Sequence, residues 1–183
     1  MGATQLRMQL REATAPVHAR LDRLVGHMPL SSHADYTAFL LAQFEARQLL
    51  DKALAKQPPA FLRAPPVQAG LIAFDLHELG VEAPIPLNHF SLDCAHGSLG
   101  AAWALAGSSL GNRAMLVRRG KAGLGGPVRF LSDPAMPLYF QRLVEVLERP
   151  FVEREVAAAV SGANLAFAAF ERAFAAHMLE VAA

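Results

Sequence analysis

The chain lacks the features of a secreted, membrane-spanning or nucleic-acid-binding protein. Cys94 is the sole cysteine among 183 residues, so no internal disulfide can form and a reducing cytoplasm is the expected setting. The N-terminus has no apolar run of signal-peptide length. No uncharged run of about 18 apolar residues suggests a membrane span. The formal net charge of +1 gives no general attraction for nucleic acid or an anionic membrane.

Strand patterns are also nearly absent, whereas helical periodicity runs along most of the chain. Hydrophobic residues make up 53% of the sequence and charged residues 18%, which is ample for a large core. We expect residues 1–183 to form one all-α domain of six or seven helices. Pro16 interrupts the first helix, where Thr14 is a possible cap for a restart. The predicted helices span 4–25, 33–56, 67–79, 88–119, 134–149 and 151–179.

Three glycines recur inside the longest central helix, at positions 100, 107 and 111. Helical spacing places Gly100, Gly107 and Gly111 on one face, together with Trp103. Each interior glycine costs about 1 kcal/mol of helix stability relative to alanine. A backbone or a flat ligand that approaches more closely than a Cβ allows would offset this cost. The glycines alone leave both interpretations open, close helix packing and a ligand site.

We expect a histidine on the core-facing side of the first helix, close to its apolar face. His18 lies close to Val17 and Leu21, and Asp22 follows four residues later, where its carboxylate could orient the imidazole. Imidazole is a common metal ligand, but a single histidine in this position is more often a core or boundary residue whose hydrogen bonds are satisfied.

Two motifs give the sequence a family resemblance. The pattern Leu-Arg-x-Ala-Thr-x-x-x-His-x-x-Leu-Asp runs from Leu10 to Asp22, and Gly-Ser-x-x-Gly runs from Gly107 to Gly111, about ninety residues later. In motifs, order and length the chain resembles the bacterial haem oxygenases, in particular the type found beside bacterial phytochromes.

The resemblance implies that haem is both cofactor and substrate. It implies that His18 is the proximal ligand of the haem iron. It also implies that Gly107, Ser108 and Gly111 are the catalytic residues of the opposite, distal face, where they support a hydrogen-bond network around bound oxygen. The implied reaction uses dioxygen and an electron donor such as a ferredoxin, and it releases biliverdin, carbon monoxide and ferrous iron. A bacterial phytochrome is the implied recipient of the biliverdin.

Haem propionates require cations, and the sequence offers several. Arg11 precedes His18 by seven residues, and Arg118 and Arg119 lie near the predicted end of the distal helix. We expect Arg11 and one of these two to bind the propionates, although basic residues at a helix C-terminus are also favoured by the helix dipole. Asn112 stands where many relatives have glycine, and its side chain would either crowd the pocket or add a hydrogen bond. Phe167 and Phe170 are candidates to line a haem edge.

Other interpretations remain open. His89, Asp93 and His96 fall at i, i+4 and i+7 of the predicted central helix, which would suit a helical Zn²⁺ or Fe²⁺ enzyme. A non-catalytic haem-binding or haem-trafficking protein of the same fold is a further alternative. Cys94 as a nucleophile has no activated partner nearby, so we interpret it as a small packed hydrophobe.

Overall fold

The computed structural model describes residues 6–26, 32–85 and 89–181, and these ranges contain six α-helices and no strand. The all-α prediction is confirmed. None of the described helices combines the length and apolar character that crossing a bilayer requires. The helices are α1 (Leu6–Gly26), α2 (His33–Lys56), α3 (Ala69–Glu78), α4 (Ala95–Lys121), α5 (Ala135–Leu147) and α6 (Glu153–Val181).

The last helix, α6, is the centre of the bundle. It packs along α4 most extensively and also packs against α1 and α2, while α3 packs on α2 and α5 on α4. Small side chains on α6 make these close approaches possible, because Ala159, Ala163 and Ala166 are all fully buried. The resulting hydrophobic core contains residues from all six helices.

The crossing of α4 and α6 depends on two glycines. A Cβ built on Gly100 would lie 1.7 Å from the carbonyl oxygen of Ala159, and one built on Gly162 would lie 1.9 Å from that of Gly97. These distances are far below van der Waals contact, so only glycine fits at both positions. Gly100 therefore serves helix packing and not a ligand.

The first helix differs from its prediction at Pro16. It is one helix from Leu6 to Gly26, without the restart that was a predicted alternative to a kink. Thr14 does not cap anything: its hydroxyl is buried and donates to the carbonyl oxygen of Leu10 at 2.7 Å. Because Pro16 has no N–H, it leaves one helical bond unmade, which a continuous helix tolerates when its apolar face is buried.

The central helix starts seven residues later than predicted, at Ala95 and not at residue 88. Cys94 is its N-cap, with extended backbone and a thiol that accepts from the Gly97 N–H at 3.4 Å. The cysteine is exposed, so its interpretation as a packed hydrophobe is wrong. The periodicity of residues 89–94 resembles that of a helix, but the helix begins only after the N-cap residue Cys94.

Asp75 on α3 fixes the connection between α4 and α5. Its two carboxylate oxygens accept from the N–H groups of Arg129 and Phe130, each at 3.0 Å. Asp75→Asn leaves one oxygen and places an NH2 group against a backbone N–H, so we expect the free energy of unfolding to fall by about 1–3 kcal/mol. Chemical denaturation at neutral pH measures this change.

The control for this substitution is Asp93→Asn. Because Asp93 is exposed, its replacement should leave the free energy of unfolding nearly unchanged. Burial raises the pKa of Asp75, although the two backbone hydrogen bonds act against the rise. As the pH falls through this raised value, proton uptake by Asp75 favours the folded state, and that contribution is lost as the pH rises again. Asp75→Asn should remove this pH-dependent contribution. Equal losses of stability in Asp75→Asn and Asp93→Asn would contradict the role of Asp75 in fixing the connection between α4 and α5.

Candidate functional site

A cleft of about 650 Å³ lies between α1 and α4, with its floor formed by α2, α5 and α6. Its volume falls within the range typical of sites for small molecules and cofactors. Residues at its rim, such as Arg11, Asp22 and Leu110, are exposed, so the cleft opens to solvent. The lining residues are Arg11, Thr14, Ala15, His18, Ala19, Leu21, Asp22, Val25, Phe39, Gln43, Trp103, Ala104, Gly107, Ser108, Leu110, Gly111, Asn112, Met115, Phe140, Phe167, Phe170 and Phe174.

His18 supplies the imidazole of the α1 wall, but its side chain is 59% exposed, so the prediction that it faces the core is wrong: it borders a cleft that opens to solvent. Its Nδ1 lies 2.9 Å from Oδ2 of Asp22, one helical turn later, which orients the ring and leaves Nε2 available to a ligand. The edge of the ring packs against Phe167, with the ring centroids 5.9 Å apart. Phe167 in turn meets Trp103 of α4 in a second edge-to-face contact at 6.3 Å. The imidazole is thus held by the carboxylate of Asp22 on α1 and by the ring of Phe167 on α6.

The α4 wall is bare backbone where the sequence places two of its glycines. A Cβ on Gly107 would meet only the ring of Phe140, at 3.9 Å, and a Cβ on Gly111 would meet nothing within 4 Å. The protein itself therefore does not require glycine at either position. The glycine row is divided: Gly100 is needed by α6, whereas Gly107 and Gly111 border the cleft.

A buried arginine, Arg47, lies behind the cleft, and no role was predicted for it from the sequence. The guanidinium of Arg47 is fully buried and lies over the rings of Phe130 and Phe170, at 4.8 and 5.7 Å. Burial lowers its pKa to about 10, which keeps the side chain charged at neutral pH, and the charges of Asp51 and Asp133 oppose the shift. A buried cation is retained only when its donors are satisfied.

Each of the three guanidinium nitrogens of Arg47 donates a hydrogen bond. Nε donates to Oε1 of Gln43 at 2.9 Å, Nη2 to Oγ of Ser108 at 2.6 Å, and Nη1 to Oε1 of Gln68. Gln68 then donates from Nε2 to Asp133 at 2.6 Å. This hydrogen-bonded chain, which we call the Arg47 network, reaches the cleft at Gln43 and Ser108.

The predicted propionate-binding residues are not together. Arg11 lines the cleft, whereas Arg118 and Arg119 do not. The guanidinium of Arg119 is buried, lies 3.8 Å from the ring centroid of Tyr36, and donates to the carbonyl oxygen of Gly125 at 2.9 Å. These contacts fix the segment after α4 and hold the guanidinium of Arg119 outside the cleft. Arg118 is exposed near the end of the same helix.

The alternative metal site is not formed. Its premise was a shared helix face, but residues 89–94 precede α4. Nε2 of His96 lies 3.7 Å from Glu155, and its ring packs against Phe61 and Phe151. Within 6–26, 32–85 and 89–181, no group of three or more His, Cys, Asp or Glu side chains could hold a metal ion. The predicted metal site of His89, Asp93 and His96 on one helix face is therefore not formed in the described part of the chain.

Comparison with known proteins bears on the fold. No protein-family model and no curated protein sequence matches the chain. Among solved structures, it is similar to the NO- and CO-bound haem oxygenase from Neisseria meningitidis, with a TM-score of 0.75 over 96% of this chain and 92% of that one. The fold is that of haem oxygenase. The identity is 22%, so the likeness establishes the fold and leaves the activity open.

Proposed function

We propose that the chain binds haem in the cleft and cleaves it oxidatively to biliverdin, carbon monoxide and ferrous iron. The observation that supports this most directly is the pairing of two walls. On one side stands an imidazole whose Nδ1 is held by Asp22, and on the other a helix that bears no side chain at Gly107 and Gly111. The cleft between them is predominantly apolar and has a volume of about 650 Å³.

The residues of the cleft fit the group. His18 would ligate the iron through Nε2, and the bare backbone at Gly107 and Gly111 would lie against the opposite face of the macrocycle. Phe167 and Phe170 would contact its apolar edges, and Arg11 would pair with a propionate at the rim. When bound, the haem supplies the iron that activates dioxygen, and the protein supplies orientation and a shielded site.

The partners proposed for the reaction follow from the surface and from the resemblance. Arg118 and Lys121 are exposed at the C-terminal end of α4, where an acidic electron donor such as a ferredoxin would find complementary charge. We propose a cytoplasmic location, a single domain over residues 1–183, and a bacterial phytochrome as recipient of the biliverdin. No nucleic-acid or membrane partner is part of the proposal.

The decisive experiment is hemin titration followed by product analysis. A saturable Soret band, then conversion to a pigment that co-elutes with biliverdin after ascorbate or reduced ferredoxin is added in air, is the expected result. Haem that binds but stays intact under reductant and oxygen would instead identify a non-catalytic haem-binding protein of the same fold. Failure to bind hemin at all would overturn both.

Gly107→Leu should abolish haem uptake or turnover while the protein remains folded. The leucine side chain would project into the cleft, where the glycine now leaves room, and no described backbone atom obstructs its Cβ. Circular dichroism should therefore be close to that of the wild type, while the hemin titration should show the loss. Wild-type turnover in this variant would show that the bare surface at Gly107 does not serve a ligand.

A further inference from the structure

Arg47 determines which end of the Gln43 amide faces the cleft. A guanidinium only donates hydrogen bonds, so Gln43 must present Oε1 to it, as the 2.9 Å contact shows. The NH2 end is then left for the cleft. Gln43 lines the cleft and is only 6% exposed. Within the described ranges, no group accepts a hydrogen bond from its Nε2. Two donor hydrogens are therefore left for a ligand.

Arg47 also determines what Ser108 offers. A serine hydroxyl has one hydrogen and two lone pairs. The hydrogen is donated to the carbonyl oxygen of Leu105 at 2.7 Å, and one lone pair accepts from Arg47 at 2.6 Å. Ser108 can therefore only accept from a molecule in the cleft, and it cannot supply a proton without breaking its bond to Leu105.

A second side-chain amide with unused donors borders the cleft from α4, and we call the surface formed by Gln43, Ser108 and Asn112 the donor wall. Asn112 follows Ser108 by one helical turn, is 5% exposed and lines the cleft. Among the residues that the structure places, no hydrogen-bond partner is found for its side-chain amide. Two side chains, Gln43 and Asn112, are thus more than nine-tenths buried, carry unused donors, and border the same space.

The charges around this wall favour a ligand of negative charge. The guanidinium of Arg47 lies directly behind Gln43 and Ser108, in surroundings where charge is weakly screened. The two carboxylates that interact with its charge, Asp51 and Asp133, do not line the cleft. Asp133 accepts from Gln68, and Asp51 accepts from the backbone of Gln68 and Ala69. The only acidic residue lining the cleft, among those described, is Asp22, which is paired with His18.

We propose that Arg47 is a positioning residue that converts this wall into a donor site for a small anion, with Gln43 as the principal donor and Asn112 as the second. The inference rests on the proposed function, because the small ligand would occupy the space between this wall and bound haem. It adds to that function a preference: the site favours small ligands that carry negative charge on the atom facing Gln43.

The test measures anion binding to the haem-loaded ferric protein, with fluoride as the probe. Gln43→Leu removes the donor and should weaken fluoride binding roughly tenfold, the effect of one lost hydrogen bond to an anion. Gln43→Glu keeps an oxygen for Arg47 but turns the donor into an anionic acceptor, so fluoride binding should weaken further. Carbon monoxide is neutral and accepts hydrogen bonds poorly, so its affinity for the ferrous protein should change much less.

The C–O stretching frequency gives a readout that a merely structural role would not shift. Loss of the positive potential should move it to higher frequency in both Gln43 variants. Gln48→Leu on the same helix and Ser109→Ala on α4 are the controls, because neither residue lines the cleft, and both should bind fluoride as the wild type does. Arg47→Met should reproduce the loss if it folds, while the Gln43 variants test the proposal if it does not.

The outcomes separate this inference from the proposed function. If hemin binds to the wild type and to Gln43→Leu alike, but fluoride affinity and the C–O frequency are the same in both, the donor site is refuted and haem binding stands. If the wild type takes up no hemin, both are refuted. A selective loss of fluoride affinity in the Gln43 variants, with hemin affinity unchanged, supports the donor site.

Discussion

His18→Ala should remove most of the haem affinity and with it all turnover. The imidazole is the only histidine that lines the cleft among the described residues, so no other side chain of that kind can replace the axial bond. Asp22→Ala should have a smaller effect, about tenfold to hundredfold on affinity, because it removes the group that orients the ligand and not the ligand itself. Hemin titration, monitored by the Soret band, ranks the three proteins.

The control is His77→Ala, because His77 is an exposed histidine on α3, outside the cleft. It should bind hemin as tightly as the wild type. A second check is chemical rescue: free imidazole should restore a ligated spectrum to His18→Ala by filling the space that the side chain leaves. A Soret band of unchanged position and affinity in His18→Ala, without imidazole, would mean that the iron is held elsewhere.

The sequence predicted the helices better than their ends. The apolar periodicity of α2 and α6 is long and uninterrupted, and both helices lie within two residues of their predicted bounds. The start of α4 was missed because 89–94 carries helical periodicity, whereas the actual boundary is fixed by one contact, the Cys94 thiol with the Gly97 N–H. A contact of this kind leaves no periodic trace, and cysteine is not among the side chains preferred at helix N-termini.

The candidate site was predictable where a motif identified it and not where burial created it. His18, Gly107 and Gly111 border one cleft, as their motifs suggested. Gly100 carries the same sequence signal as Gly107 but is required by α6, a segment about sixty residues further along the chain. Spacing reveals that two glycines share a helix, but it does not reveal which neighbour each one meets.

Arg47 shows the same limit more sharply. Gln43, Arg47 and Asp51 occur at four-residue steps on α2, which is the pattern of a solvated polar face. All three are buried, because α3, α4 and α6 cover them, and the partners Gln68 and Ser108 are 21 and 61 residues away in the chain. The usable signal was that this polar row lies beside Leu40, Leu50 and Leu54, so that α2 has no broad hydrophilic face.

Gly100→Ala should lower the stability of the protein strongly, although it adds only one methyl group. The new Cβ would lie 1.7 Å from the carbonyl oxygen of Ala159, a backbone atom that cannot turn away, so α4 and α6 must separate. Overpacking of this kind costs about 3 kcal/mol, which exceeds the gain of about 1 kcal/mol from replacing glycine by alanine in a helix. At roughly 2–4 °C per kcal/mol for a chain of this size, the melting temperature should fall by about 4–8 °C.

Gly111→Ala is the matched control, and its expected effect has the opposite sign. The same substitution on the same helix meets nothing within 4 Å, so the helix-propensity gain of up to about 1 kcal/mol should appear as a higher melting temperature without haem. The added methyl group borders the cleft, so the stabilised variant should nevertheless bind hemin more weakly.

If Gly100→Ala melted at or above the wild-type temperature, the close crossing of α4 and α6 would be wrong. If Gly111→Ala gained stability with hemin affinity unchanged, the glycine at position 111 would have no role toward a ligand. The two variants thus separate the two reasons why a helix would carry glycine. A lower melting temperature indicates close helix packing, and a weaker hemin affinity indicates room for a ligand.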